Sequence, residues 1–244
     1  CSDALLMTAQ GIETIRRTSL EKDFNRLQEL ISEYILVYRA SIYGNKDMTH
    51  LGFNDITMLS NMPNLMYLAP TTVEELESSI RYGVEHHNHP IAIRIPVGSP
   101  IYETSQSNTT GCPVTSCNIT QSGNTIAIIG VGNFYHKAVE LSHAIHDAIH
   151  ISPTLVKPLC ISSLDTDTLN ELTKDHNIVI TLEDGELEGG YGQKISSYYG
   201  KTSMNVLNYG ISKQFYDRYN PEDVLQQNHL DFEHILDDIQ NIQH

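Results

Sequence analysis

Four side chains in the first hundred residues could together handle a phosphorylated carbonyl compound. Arg39, Asp47 and His50 fall within a dozen residues of one another, and Arg94 interrupts an apolar run further along the chain. An imidazole titrates near neutrality and can move a proton to or from a carbonyl oxygen, with a carboxylate fixing its tautomer. Guanidinium groups offer forked, planar donors that fit a phosphate or a carboxylate. This set predicts acid–base chemistry by the histidine and the aspartate, with anion binding by the two arginines.

A structural role is the alternative for each of these residues. An arginine inside an apolar strand needs an anionic partner, because burying an unpaired guanidinium is costly. Arg39 and Arg94 could each pair with a structural carboxylate, and His50 could cap a turn. The residues alone leave both interpretations open.

The composition limits the classes of partner. The chain has 244 residues, with 15 basic and 30 acidic side chains and a net charge of −15. This charge disfavours nonspecific binding to nucleic acid or to anionic membranes. A phosphate ligand must therefore be bound by individually placed arginines. With 40% hydrophobic residues, the chain can build one large domain or two ordinary ones.

The start of the chain and its cysteines favour a cytoplasmic protein. No run of 18 apolar residues is present, and no basic region precedes the short apolar patch at residues 4–7. The four cysteines lack the paired spacing of a zinc site, so we expect free thiols. The histidines at 86–89 and 136–150 fit exposed helix surfaces better than a metal site, and no metal ligand is predicted.

Strands and helices alternate along the chain. Apolar runs predict strands at 34–38, 65–69 and 91–95 among helices at 18–32 and 55–62 and a third ending at 84. After residue 123 the pattern predicts strands at 125–130, 154–157, 177–182 and 205–207, and helices at 135–149, 166–172, 192–199 and near the end. The fold class is therefore α/β, with mostly parallel sheets covered on both faces.

The predicted domains are separated by a change in composition. Between residues 98 and 123, Gly, Ser, Thr, Asn and Pro replace the apolar periodicity, which favours a linker. We predict a first α/β domain at 1–98, a linker at 99–123 and a second α/β domain at 124–244.

Several short motifs occur in a fixed order. They are Tyr38-Arg39-Ala40-Ser41, Asp47 before Thr49-His50-Leu51-Gly52, Asp55 before Met62-Pro63-Asn64 and Ala69-Pro70, and Ala92-Ile93-Arg94-Ile95-Pro96-Val97-Gly98. Thr181-Leu182-Glu183-Asp184-Gly185 and Gly189-Gly190-Tyr191-Gly192 follow in the second domain. In this order they resemble the 1-deoxy-D-xylulose-5-phosphate synthases, a transketolase-like family that uses thiamine diphosphate. The similarity covers about residues 34–240.

The resemblance implies a fold, a reaction and residue roles. The fold would be a transketolase pyrimidine-binding domain followed by a transketolase C-terminal domain. The reaction would condense pyruvate with glyceraldehyde 3-phosphate with loss of CO2, using thiamine diphosphate and Mg2+, and would serve isoprenoid precursor, thiamine and pyridoxal biosynthesis. Arg39 and Arg94 would hold the sugar phosphate. His50 and Asp47 would face the substrate carbonyls, in a transferase expected to form a homodimer.

The chain departs from the family pattern at several places. The family domain that binds the diphosphate and magnesium has no counterpart, so we expect a separate N-terminal half to supply it. Ser19 and Lys22 replace an aromatic residue and an arginine, and Val97 stands where many members have a second arginine. The cofactor role of the family's glutamate is not transferred to Glu13, so the cofactor-binding residues stay unknown.

Two other functions fit the same sequence. The altered positions near the start suggest a non-catalytic transketolase-like interaction module. The two-domain plan is also that of the β-subunit of a 2-oxo-acid dehydrogenase, although the His50 segment and Arg94 suit a phosphorylated acceptor better. In each case small-molecule or protein partners are expected, and nucleic acid and membranes are not.

Overall fold

The structure, a computed structural model, describes residues 34–42, 52–85, 90–96 and 117–243. Its elements, in chain order, are β1 (Tyr34–Ala40), α1 (Asp55–Leu59), β2 (Met66–Leu68), α2 (Val73–Glu85), β3 (Ile91–Pro96), β4 (Cys117–Gln121), β5 (Thr125–Gly130), α3 (Phe134–Ile149), β6 (Thr154–Pro158), α4 (Thr166–Leu172), β7 (His176–Glu186), α5 (Tyr191–Tyr199), β8 (Asn205–Ile211), α6 (Pro221–Gln227) and α7 (Phe232–Gln243). The predicted helix at 18–32 lies outside the described residues. Within them, no helix is long and apolar enough to cross a membrane.

The first sheet has three parallel strands in the order β1-β3-β2. Pairing between β1 and β3 runs from Tyr34 opposite Ile91 to Tyr38 opposite Ile95. In the central strand β3, residues 91–94 are buried, as expected for a strand that neighbours protect on both edges, and Arg94 is the one charged residue among them. Arg94 is therefore the exception in this strand that needs a physical explanation.

The second sheet has five strands in the order β4-β6-β5-β7-β8, and those from β5 to β8 are parallel. Alternate residues of β5 face opposite sides, because successive side chains of a strand point to opposite faces. Ile126 and Ile128 belong to one core cluster with Leu141 of α3, whereas Ala127 belongs to another with Ile195 of α5. Helices therefore cover both faces, and the predicted α/β class with mostly parallel sheets is confirmed.

The structure differs from the predicted linker at one end. Cys117–Gln121 forms strand β4, which pairs antiparallel with β6, although 99–123 was assigned to the linker. β4 is an edge strand with a partly exposed, polar sequence, so it carries no apolar run that periodicity could detect. The second structural unit thus extends at least to Cys117, and residues 97–116 lie outside the described part of the chain.

The two sheets are joined through the edge of β2. The amide of Ala69 donates to the carbonyl of Leu159 and the amide of Ile161 donates to the carbonyl of Tyr67, both at 2.8 Å. Leu68 and Cys160 form an antiparallel bridge between these bonds. The segment after β6 therefore covers an edge that would otherwise expose unpaired backbone groups.

A buried ion pair lies close to this junction. Lys157 of β6 contacts Glu75 of α2 at 2.5 Å, and each side chain is only 7% exposed. Glu75 also accepts hydrogen bonds from the amide and the hydroxyl of Thr71 at 2.8 and 2.7 Å. This carboxylate thus links its own helix to the second sheet with both oxygens engaged.

Replacing Glu75 by Gln should lower the free energy of unfolding by about 3–5 kcal/mol, because the buried Lys157 ammonium loses its counter-charge. Urea denaturation followed by circular dichroism measures this loss. The control is Glu171→Gln, which breaks the Lys174–Glu171 pair whose side chains are 63% exposed. That change should cost less than about 1 kcal/mol, and equal losses in the two variants would contradict the assignment.

Candidate functional site

Arg94 lies at the centre of a buried charge cluster between the two sheets. The residue is 1% exposed. Its Nε–H donates to Oδ2 of Asp55 at 2.6 Å, and its Nη1 donates to Oδ1 of Asp184. Burial alone would lower the pKa of Arg94, but the charges of Asp184 and Asp55 outweigh burial and raise it. Arg94 therefore stays cationic and joins carboxylates from both halves of the molecule.

The carboxylates of this cluster outnumber its cation. Asp55 is 0% exposed and also accepts a hydrogen bond from the hydroxyl of Tyr67. Burial, followed by the negative charge of Asp55, raises the pKa of Tyr67 well above its usual value, so the hydroxyl stays a donor. Oδ2 of Asp184 is buried and has no hydrogen-bond partner among the described residues. One guanidinium facing two aspartates leaves an excess of negative charge.

The two ends of the segment that carries Asp47 and His50 meet beside this cluster. Ser41 and Gly52 form an isolated antiparallel bridge. Nη2 of Arg94 contacts the carbonyl oxygen of Gly52 at 3.3 Å. Ser41 is buried and has a φ of 96°, a conformation that costs a residue with a side chain about 1–3 kcal/mol and persists only where its surroundings impose it.

The second half of the molecule contacts the same two ends. Nδ2 of Asn133 donates to Oγ of Ser41 at 3.4 Å. The amide of Glu186 donates to the carbonyl of Phe53 at 2.9 Å, and the Phe53 ring packs edge-on against Tyr216 with centroids 5.2 Å apart. Ser41 and Phe53, on either side of residues 43–51, thus contact the turn before α3, strand β7 and the loop after β8.

Glu183, next to Asp184 on β7, caps a helix on the other side of the strand. Its two carboxylate oxygens accept the amides of Tyr191 and Gly192 at 2.9 and 2.8 Å, where α5 begins. Burial raises the pKa of Glu183 to about 7, although the two amides act to lower it. Neighbouring acidic residues of one strand therefore serve different partners, since their side chains point to opposite faces.

The structure brings only part of the predicted site into view. Asp47 and His50 lie outside the described residues. For Arg39 the structure gives a backbone position in β1, at the register shift between Tyr38 and Ala40 and two residues beyond Val37, which pairs with Arg94. Arg94 is paired with carboxylates, the arrangement that the structural alternative expected. Binding of a substrate phosphate by either arginine stays a prediction.

Asp184 and Glu183 have roles that the residue pattern did not reveal. Both stood in the quoted C-terminal signature, and Asp55 stood in a signature of the first domain, but no role was derived for any of them. A signal was available, because carboxylates at the end of an apolar strand are buried only when partners satisfy them. An arginine inside a second apolar strand supplies one such partner.

The described residues hold no group of three or more His, Cys, Asp or Glu side chains that could bind a metal ion. The rings of His146 on α3 and His150 just after it lie 6.5 Å apart, and the His146 ring contacts the Ser152 hydroxyl. The residues at 86–89 lie outside the described ranges. The part of the chain that the structure describes does not fit a magnesium–diphosphate site.

Residues 115–235 match the transketolase C-terminal domain family. This assigns β4 to the start of α7 to one established domain type. A solved structure described as "Split gene transketolase, inactive beta4 tetramer" has the same fold. Its TM-score is 0.71 and its sequence identity is 18%, over 85% of this chain and 66% of that chain.

The sequence is similar to 1-deoxy-D-xylulose-5-phosphate synthases. The enzyme of Alkaliphilus oremlandii is 31% identical over 87% of this chain and 34% of its own length. That of Clostridium acetobutylicum is 33% identical over 81% of this chain and 32% of its own length. The chain spans about a third of the length of these relatives. It belongs with the C-terminal section of the deoxyxylulose-phosphate synthase type, as its ordered motifs predicted.

Gly190→Ala should destabilise the fold by about 1–3 kcal/mol, because the new methyl group has no space. A Cβ there would lie 2.5 Å from the carbonyl oxygen of Glu186 and 2.6 Å from the carboxylate of Glu183. Gly200→Ala, at the other end of α5, is the control, since its nearest neighbour would be 3.4 Å away. Thermal and urea unfolding compare the two. A Gly190 variant as stable as the Gly200 variant would show that Glu183 is not packed against α5.

The stability of the protein should fall as the pH rises from about 4.5 to about 7. The folded state holds the proton of Glu183 up to a pKa of about 7, whereas the unfolded chain releases it near the usual 4.5. Folding thus binds protons in this range, and the free energy of unfolding decreases by up to about 1.4 kcal/mol per pH unit.

Urea denaturation at pH 5, 6 and 7 measures this slope in the wild type and in Glu183→Gln. Removing the titrating group should flatten the slope, whatever the variant's stability at any single pH. Glu188→Gln, on the exposed Lys213–Glu188 pair, is the control and should keep it. A Glu183→Gln slope equal to that of the wild type would exclude Glu183 as its source.

Proposed function

We propose that this chain is the C-terminal section of a 1-deoxy-D-xylulose-5-phosphate synthase-type transferase, completed by a separate cofactor-binding half. The observation that carries the proposal is similarity over more than four-fifths of this chain to enzymes of which the matched part covers only about a third. The reaction would join pyruvate to glyceraldehyde 3-phosphate with loss of CO2. The description of a structural neighbour as a split gene transketolase agrees with this division of labour.

The predicted catalytic roles of His50 and Asp47 fall on residues outside the described ranges. His50, oriented by Asp47, would exchange a proton with the carbonyl oxygen of the substrate. Arg39, near the carboxyl end of β1, would bind the phosphate of the acceptor. Ligands of parallel α/β sheets gather at this edge, and the described flanks of the segment, Ser41 and Gly52, are buried there.

Thiamine diphosphate and Mg2+ would reach the site with the other half. The cofactor supplies the carbon nucleophile that decarboxylation of pyruvate requires. This chain would contribute anion binding, proton transfer and exclusion of water. Self-association into a dimer is also part of the proposal.

The purified chain alone should give no ketose phosphate from pyruvate and glyceraldehyde 3-phosphate, because its described residues do not fit the magnesium–diphosphate site. Mixed with the cofactor-binding half of a family synthase, thiamine diphosphate and Mg2+, it should release CO2 and form the product. Mass spectrometry of the ketose phosphate and a CO2 assay provide the readout. Turnover by the chain alone would refute the split-enzyme proposal.

Within the active mixture, His50→Asn should reduce kcat by about 100-fold or more, as expected for loss of a general acid–base. His229→Asn, a change on the loop before α7, is the control and should leave kcat unchanged.

The second candidate is a non-catalytic interaction module, favoured by the replaced residues Ser19, Lys22 and Val97. A stable complex with the other half that forms no product would support this module over the enzyme.

A further inference from the structure

Arg94 carries contacts that fit an internal clamp better than a substrate site. Its donors reach Asp55, Asp184 and the Gly52 carbonyl, and Nη2 lies 3.4 Å from the second oxygen of Asp55. The residue is 1% exposed. A phosphate dianion approaching Arg94 would meet two carboxylates as well as one guanidinium, and like charges close together in a buried site repel strongly.

The same cluster reaches the segment that the proposed function places at the centre of the chemistry. Arg94 contacts Gly52, and Gly52 is bridged to Ser41, whose backbone has a positive φ. Ser41 and Gly52 are therefore the described backbone positions on either side of residues 43–51, and the bridge holds them together.

Asp184 supplies this contact from the second half. The strand that carries it continues along the first half, because the Glu186 amide donates to Phe53 and a Cβ on Gly185 would lie 3.0 Å from Ile56. Oδ1 of Asp184 accepts from Arg94, and Oδ2 has no hydrogen-bond partner among the described residues. Arg94 is the described partner that accounts for burying this carboxylate.

We infer that Arg94 and Asp184 are positioning residues, which hold the Ser41–Gly52 bridge against the second sheet, and that Arg94 is not a phosphate ligand. The inference rests on the proposed function only for the catalytic role given to residues 43–51. It predicts that Arg39, and not Arg94, binds the phosphate.

The matched control is a second buried ion pair between the halves. Glu75 and Lys157 are about as buried as Arg94 and Asp184, but they lie beside β2, at the opposite edge of the first sheet from β1 and Ser41. Breaking either ion pair would loosen the contact between the two halves. Only the loss of the Arg94–Asp184 pair would release the Ser41–Gly52 bridge.

Hydrogen exchange with mass spectrometry tests this on the full chain without cofactor or substrate. Asp184→Asn should raise exchange at residues 41–42 and 52–54 about tenfold relative to β5 amides of the same variant. Arg94→Lys, which keeps the charge but loses the fork, should do the same. Glu75→Gln should not. Equal effects of Asp184→Asn and Glu75→Gln at these residues, or no effect of Asp184→Asn and Arg94→Lys, would overturn the inference.

The affinity for inorganic phosphate, measured by calorimetry, distinguishes the two roles of Arg94, because they predict different changes in affinity for Asp184→Asn. If Arg94 bound phosphate, Asp184→Asn would remove a competing carboxylate and tighten binding. Under the positioning role, the variant binds phosphate no more tightly than the wild type, and Arg39→Gln weakens binding. Tighter binding by Asp184→Asn would overturn the inference. Neither measurement uses the reaction, so a failed reconstitution with the expected exchange pattern would refute the function and leave the clamp standing.

Discussion

One guanidinium makes the two halves of this molecule depend on each other. Arg94 sits in the middle of an apolar strand, and a buried cation there is tolerated only when carboxylates surround it. Asp55 comes from the same half, but Asp184 comes from the second sheet. The first sheet on its own would leave Arg94 with half of its counter-charge. The second half is therefore part of the environment that the first half requires.

The two adjacent acidic residues of β7 have separate structural roles in this arrangement. Glu183 and Asp184 are neighbours, so a strand sends them to opposite faces. Glu183 closes the start of α5 and Asp184 reaches Arg94. The glycine at position 190 leaves room for the Glu183 carboxylate. Glu183 thus binds the start of α5 on one face of the sheet, and Asp184 binds Arg94 of the first half on the opposite face.

Sequence patterns predicted the regular elements well because a buried helix face or strand requires apolar residues at regular spacing. β5, for example, has the predicted bounds, and α3 begins one residue earlier than expected. β4 escaped detection because an exposed edge strand has no such period. The pairing of Arg94 with Asp184 also escaped, since 90 residues separate them and only the folded chain brings them together. The resemblance pointed to the right family, while the alternative of a structural ion pair described the contacts of Arg94.

A double-mutant cycle on Arg94→Met and Asp184→Asn tests the central claim most directly. The account predicts that the two changes are coupled by about 1–3 kcal/mol in the free energy of unfolding, because each removes the same buried interaction. Additivity within about 0.5 kcal/mol would show that the two side chains do not depend on each other, and the proposed link between the halves would be wrong.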